Sequence, residues 1–299
     1  MHTTRREFLR TLAVGLTAAG TRTAPAAEAA PPPRVGSQLY GWGQYYQREG
    51  KNLNDHLDEV FSALRDAGYD FAEGFLDVAN PEANLRFAER LRAKGLRPVT
   101  LYTGARLHDE QAGEVVQRLL TAARACREAG FQVINCNPDP IGREKTEAEL
   151  QRQVAALIEL GRGLQALGLK LGIHHHTPEL ANQAREFHYN FQHSPPELVG
   201  FNIDTHWMYR GGLPPLEALR TYGTRVVSWH LRQSRDGVWW EDLDTGDVDY
   251  TAIARYAREH HLAPVYAVEL ALEAGTRITR SAVENHRRSR DFVRRVFGV

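Results

Sequence analysis

His174, Asp204, His230 and Glu269 are the residues of this chain best suited to do chemistry together. Each lies at the carboxyl end of an apolar run: LGIHHH, FNIDTHW, VVSWHLRQS and VYAVELAL. The gaps between them are 30, 26 and 39 residues. Two imidazoles and two carboxylates make a mixed nitrogen/oxygen set that suits one divalent metal ion: Mn, Co, Zn, Fe or Mg. In an extended run His174 and His176 face one side and His175 the other. At that strand end His176 or Glu179 is an alternative ligand to His174. Beside Glu269, the residues His176, Glu179 and His206 are spare candidate bases. Arg232 follows His230 by two, shares its side and suits a substrate oxygen. Glu73, in FAEGF, is a carboxylate for the substrate pocket or for support of the metal, and equally a barrel ion pair. Trp42 and Trp207, with Trp239 and Trp240, fall in expected loops at the same end. They suit stacking on a flat ligand face, against the plainer alternative of aromatic packing.

One strand–helix unit of a barrel takes about 30 residues, roughly 250 over eight units, and its active-site face is the carboxyl end of the strands. The recurrence of the four side chains matches that period. Eight strand-like runs follow Pro33: Val35–Tyr40, Asp70–Leu76, Arg97–Tyr102, Gln132–Asn137, Lys170–His175, Val199–Asp204, Val226–Arg232 and Pro264–Leu270. Helical patterns separate them. Leu57, Val60, Phe61 and Leu64 form an apolar stripe that Gly68 ends. Pro81 opens the next helix and Gly95 closes it. Glu147–Gly168 and Tyr250–Leu262 read the same way, and a last helix over Arg280–Phe297 would seal the barrel. The fold class expected is α/β, a single (β/α)8 barrel over residues 34–299. A doubly wound sheet would gather its ligands at one switch-point crevice instead of at four successive strand ends.

Residues 1–30 read as a twin-arginine secretion signal and spacer. Arg5-Arg6 precede a weakly apolar stretch, Leu12 to Gly20, and Ala27-Glu28-Ala29 offers a cleavage site. The apolar stretch is too short to span a membrane, so export to the periplasm without stable membrane insertion is expected. The formal charge is zero, from 37 basic and 37 acidic residues. Without residues 1–29 the balance is 33 basic against 35 acidic. Nothing in that balance recruits nucleic acid. Cys126 and Cys136 make no metal pattern and are expected to be free, buried thiols. Lys51, Lys94, Lys145 and Lys170 all lie away from strand carboxyl ends, which argues against a Schiff-base aldolase. No nucleotide-binding glycine motif follows a strand.

VGSQLYGW, GYDFAEGF, LGIHHHTPE, FNIDTHW, SWHLRQS, GDVDY and VELALE occur in an order that resembles the xylose-isomerase-like barrel family of sugar (phosphate) isomerases and epimerases. The resemblance runs from Val35 to the end of the chain. It implies ligands Glu, Asp, His and Glu on strands five to eight. Asp204, His230 and Glu269 match the last three, and His174 stands where many epimerases carry Glu. The resemblance also implies that the strand-five and strand-eight carboxylates are the two bases of an epimerase. Relatives with His-x-His at strand five include dehydratases and other lyases of keto-sugars. The expected partner is a small, non-phosphorylated keto-sugar, and a homo-oligomer is compatible with the sequence. Proton removal beside a metal-bound carbonyl, giving isomerisation or epimerisation, is the leading expectation. Elimination from a 3-keto-glycoside or related keto-sugar is the alternative, and a non-catalytic sugar-binding barrel a further one.

Overall fold

Eight parallel strands close on one another as a barrel: β1 (Arg34–Gln38), β2 (Phe71–Phe75), β3 (Thr100–Ala105), β4 (Val133–Pro138), β5 (Lys170–Ile173), β6 (Gly200–Asp204), β7 (Val226–Leu231) and β10 (Val265–Val268), which returns to β1. The structure is a computed structural model that describes Pro32 and residues 34–299. The expected twin-arginine leader lies outside the described residues. All eight expected strands form, each shifted at its ends by up to three residues.

The strand connections follow local signals. Helix α1 (Leu39–Arg48) leaves β1 directly and α2 (Leu57–Asp66) carries the expected apolar stripe inward. Gly68, at φ +85, ends the turn beyond α2 in the left-handed region that glycine tolerates. Helix α3 (Pro81–Ala93) starts on its proline, and α4 (Ala112–Glu128) connects β3 to β4. Helix α5 (Glu147–Ala166) opens with a reciprocal capping box between Thr146 and Glu149. Helix α6 (Ala181–Gln192) precedes β6, and α7 (Thr205–Arg210) starts directly after that strand, capped by its last residue, Asp204. After α8 (Pro215–Tyr222) and β7 comes a small antiparallel hairpin, β8 (Ser234–Arg235) with β9 (Val238–Trp239). Helices α9 (Tyr250–Glu259) and α10 (Ala282–Phe297) finish the ring. Among the described residues no helix is long and apolar enough to cross a membrane. Cys126 and Cys136 are free and buried.

Two expectations fail here for one reason. The first run was expected to stay extended to Tyr40 and then become loop, which put Trp42 in reach of a substrate. Instead the Gln38 side chain caps the amide of Tyr40 and the chain turns helical at Leu39. Trp42 therefore points into the core, 1% exposed, with its ring 4.1 Å from His286 and its Nε1–H donating to Ser37 at 3.1 Å. It packs; it does not line the pocket.

The barrel interior is not wholly apolar. Asn135 donates to Glu73 at 2.8 Å, Ser228 donates to Asn135 at 2.7 Å, and Asn202 donates to Ser228 at 2.7 Å. These side chains come from β2, β4, β6 and β7 and are buried. Apart from Asn202 Oδ1, which is buried without a partner, they satisfy one another, as most polar groups in a barrel core do.

Candidate metal centre

The four strand-end residues meet. His174, Asp204, His230 and Glu269 each offer a ligand atom, and these atoms all lie within 4.8 Å of one another. Strand register explains it. Asp204 pairs with His230, and His230 with Ala267, two residues before Glu269. The amides of His174 and Glu269 continue the ladder one residue past their strands, donating to Cys136 and Leu231 at 2.9 Å each.

Each of three ligands has one polar atom held by the protein and another left facing the shared point. Asp204 Oδ1 accepts the amides of His206 and Trp207 at 2.9 and 2.8 Å, capping α7. Its Oδ2 lies 3.6 Å from His174 Nε2. His230 Nε2–H donates to Glu73 Oε1 at 2.6 Å, while Nδ1 lies 3.0 Å from Glu269 Oε2 without hydrogen-bond geometry. Glu269 Oε1 forms an ion pair with Arg232 Nη2 at 2.9 Å. Both ring nitrogens of His174 are buried without a hydrogen-bond partner. Unpartnered buried imidazole is costly unless something else engages it. The donor set fits a divalent ion held by these four residues. Glu73 then completes a carboxylate–histidine–metal arrangement, the usual way a ligating imidazole is oriented.

Charge in the cluster is finely balanced. Burial opposes a proton on His230, but the carboxylates of Glu73 and Glu269 outweigh it and raise the imidazole to about 10. Burial also works against ionised Asp204 and Glu269. Arg232 and the histidines overcome it, holding Asp204 well below the usual carboxylate range and Glu269 at about 2. Arg232 Nη2 reaches both, 3.3 Å from Asp204 and 2.9 Å from Glu269. Its guanidinium lies 4.2 Å from the ring centre of Trp239 and 5.2 Å from that of Trp207, within cation–π range. Burial lowers His174 and brings His176 down to about 3, so both rings are neutral near pH 7.

Above the cluster opens a pocket of about 280 Å³ lined by Gln38, Tyr40, Phe75, Tyr102, His174, His176, Trp207, His230, Arg232, Trp239 and Glu269. A larger cavity of about 450 Å³ at the Arg143–Lys145 loop has none of these groups on its wall, so chemistry and not size selects the site. His176, Arg232 and Trp207 thus reach the pocket, as expected of them. Besides Trp42, three expected residues do not. Glu73 lies fully buried beneath His230 and supports it; it is no substrate contact. Glu179 is buried behind His176: its Oε2 accepts the His176 amide at 2.9 Å and its Oε1 accepts Asn137 at 3.1 Å. Burial pushes Glu179 up to about 7. His206 packs against Tyr209 and the edge of Trp239, where burial lowers it to about 4, and is absent from the pocket wall.

Asn137 has a role that the sequence did not announce. It donates to Glu179 and to the carbonyl of His174, so its Oδ1 can only accept, and it sits 2.9 Å from His176 Nδ1. The proton of neutral His176 is therefore on Nδ1, and Nε2 keeps a free lone pair. In VINCNP, Asn135 and Asn137 alternate with buried Ile134 and Cys136, a two-residue period that marks both as inward-facing. Gln38, Tyr40, Phe75 and Tyr102 were likewise missed, because single polar or aromatic residues at strand ends carry no spacing signal.

Residues 61–295 match the xylose isomerase-like TIM barrel family. The chain belongs to this family. Inosose dehydratases of Bacillus cereus and Geobacillus kaustophilus are 24% and 26% identical to it over 197 and 203 residues, covering 61% and 62% of this chain. The matches span 65% of the length of those curated relatives. A sugar phosphate isomerase/epimerase of Parabacteroides distasonis superposes with a TM-score of 0.72 at 19% identity, over 90% of this chain and 96% of that one. A structure of the IolI protein with a bound zinc atom gives 0.69 at 18% identity, over 89% and 100%. Proteins sharing the fold thus include a sugar phosphate isomerase/epimerase, and the sequence relatives include inosose dehydratases.

Proposed function

We propose that this protein is a metal-dependent enzyme that removes a proton next to the carbonyl of a small, non-phosphorylated keto-sugar. The observation that carries the reading is the convergence of His174, Asp204, His230 and Glu269 on the floor of a pocket whose wall also presents His176. A divalent ion held by these four residues would supply a Lewis acid for a carbonyl and its neighbouring hydroxyl. Glu269 is ionised at neutral pH and is the general base of the proposal. Arg232 keeps Nε and Nη1 without partners and orients substrate oxygens. Burial raises the Tyr102 phenol far above its ordinary value, so it remains a proton donor.

Two outcomes of that proton removal are weighed. Epimerisation asks for a second group to return the proton from the other face, and His176 is the pocket's candidate. Elimination asks only that one group take the α-proton and pass it to the departing β-oxygen, released as water from an inosose or as the aglycone alcohol from a 3-keto-glycoside. Glu269 is the one carboxylate on the pocket wall, and the strand-five position is imidazole. That asymmetry, together with dehydratases among the relatives, favours elimination; isomerisation or epimerisation is the second reading. The test is proton NMR of an inosose or a 3-keto-glucoside with metal-loaded protein in deuterium oxide. An enone with one water lost from the inosose, or with the aglycone alcohol lost from the 3-keto-glucoside, supports elimination. Deuterium at the α-carbon of an unchanged skeleton supports epimerisation. Turnover with neither would sink proton removal altogether.

A further inference from the structure

The rim of the pocket carries more aromatic surface than its floor chemistry requires. Tyr40 and Phe75 line the pocket, yet they are 46% and 54% exposed. Both lie two residues beyond the register pair Gln38–Glu73, Tyr40 in the first turn of α1 just after β1 and Phe75 at the end of the neighbouring β2. Phe75 pairs in turn with Tyr102 on β3, with ring centres 6.0 Å apart at 84°. Three aromatic rings therefore edge one side of the mouth. Across the barrel, at the end of β6 and on the hairpin, Trp207 and Trp239 edge the other, with ring centres 5.3 Å apart. Exposed aromatic carbon gathered at the mouth of a pocket is the mark of a ligand surface.

The polar groups are confined to the floor. Arg232 is the one guanidinium on the pocket wall, and it is already shared by Asp204 and Glu269. No other Lys or Arg among the described residues lines the pocket to meet a phosphate. The outer part is thus built for a flat apolar face and not for an anion.

We infer that the pocket takes a glycoside, with its carbonyl-bearing ring on the floor and a second ring stacked on Tyr40 and Phe75. The shared chemistry of that second ring is a flat C–H or π face, which an aryl aglycone and a pyranose both present. The inference rests on the floor binding the sugar ring as proposed above, and concerns what is attached to that ring.

The test is binding to the metal-loaded full chain, which is independent of turnover. The 3-keto forms of methyl β-glucoside, phenyl β-glucoside and cellobiose, with the ketone on the ring meant for the floor, are titrated by calorimetry into the metal-loaded Glu269→Gln chain, where proton removal is slowed. The phenyl glycoside should bind roughly fivefold to tenfold more tightly than the methyl one, the size of one aromatic stacking contact. Phe75→Ala and Tyr40→Ala should each narrow that ratio about threefold or more, and Phe75→Trp should keep it. Cellobiose matching the phenyl glycoside identifies a second sugar ring; cellobiose matching the methyl one identifies an aryl group. Equal affinity for phenyl and methyl glycosides overturns the inference. So does failure of all three to bind, or an equal loss of both in Phe75→Ala. If the phenyl preference holds while a keto-sugar shows neither deuterium uptake nor elimination, the reaction reading falls and the glycoside site stands.

Discussion

Glu73 lies on β2, fully buried beneath the metal-type cluster and off the pocket wall. As a lone carboxylate in FAEGF it could serve a substrate, a metal or an ion pair. Its 2.6 Å contact to His230 Nε2 and its burial assign it to the imidazole. Replacing it with Gln keeps the volume and removes the negative acceptor. Metal affinity should fall by roughly tenfold to a hundredfold, the usual penalty for losing such a partner, while the barrel stays folded. Competition with a metallochromic chelator measures this. Glu269→Gln tests a different role. If Glu269 is the base, turnover of a keto-sugar should drop by a factor on the order of 10² or more at matched metal occupancy. Full activity at full occupancy would remove Glu269 from the chemistry. The Asp, His and Glu at strands six to eight were legible because each closes an apolar run and the runs keep the barrel period. The supporting residues were not. Asn137 and Glu73 act through partners 39 and 157 residues away, and no local pattern encodes such a pairing.

At the scale of elements, the end of β5 and the turn after it form one unit. The Glu179 carboxylate, the Asn137 amide and the His176 ring hold each other, and they fix which His176 nitrogen faces the pocket. Asn137→Ala should lower the rate with metal content preserved, since it frees the ring to flip. Glu179 gives this unit a pH signature. Its ordinary value of 4.5 is raised by burial to about 7, so the folded chain holds the proton more tightly than the unfolded one. The stabilising contribution is complete below about 4.5 and is lost as pH rises through about 7. Across that window the melting temperature of the parent protein should fall relative to Glu179→Gln; parallel curves would contradict the assignment. Strand positions were readable throughout, because apolar β-branched runs report burial directly. The helices α1 and α7 were not readable. Each starts directly after a strand's last residue, so the run looks continuous and the switch comes from a side-chain cap, Gln38 or Asp204, that sequence cannot aim.

For the molecule as a whole, the barrel separates load from function. Trp42 belongs to the load: Trp42→Ala should cost about 3–5 kcal/mol of stability, as large aromatic deletions in a core do, with glycoside binding intact in the folded fraction. Chemical denaturation and calorimetry together check both halves. The leader belongs to neither. We propose that twin-arginine export delivers the chain to the periplasm. Protein recovered from that compartment should then have an intact mass lacking residues 1–29, whereas a full-length cytoplasmic product in the native host would contradict export.

Arg232 gives the site a resident counter-cation. Its guanidinium neutralises Asp204 and Glu269 within the same few ångströms where a divalent ion would be held. Acquiring the ion is then a swap of one positive partner for another, accompanied by loss of the His230 proton, and not the event that makes the chain fold. Extraction with a chelator should therefore leave the far-ultraviolet circular dichroism and a cooperative melt in place. Reloading should release protons and should become harder as the solution is acidified.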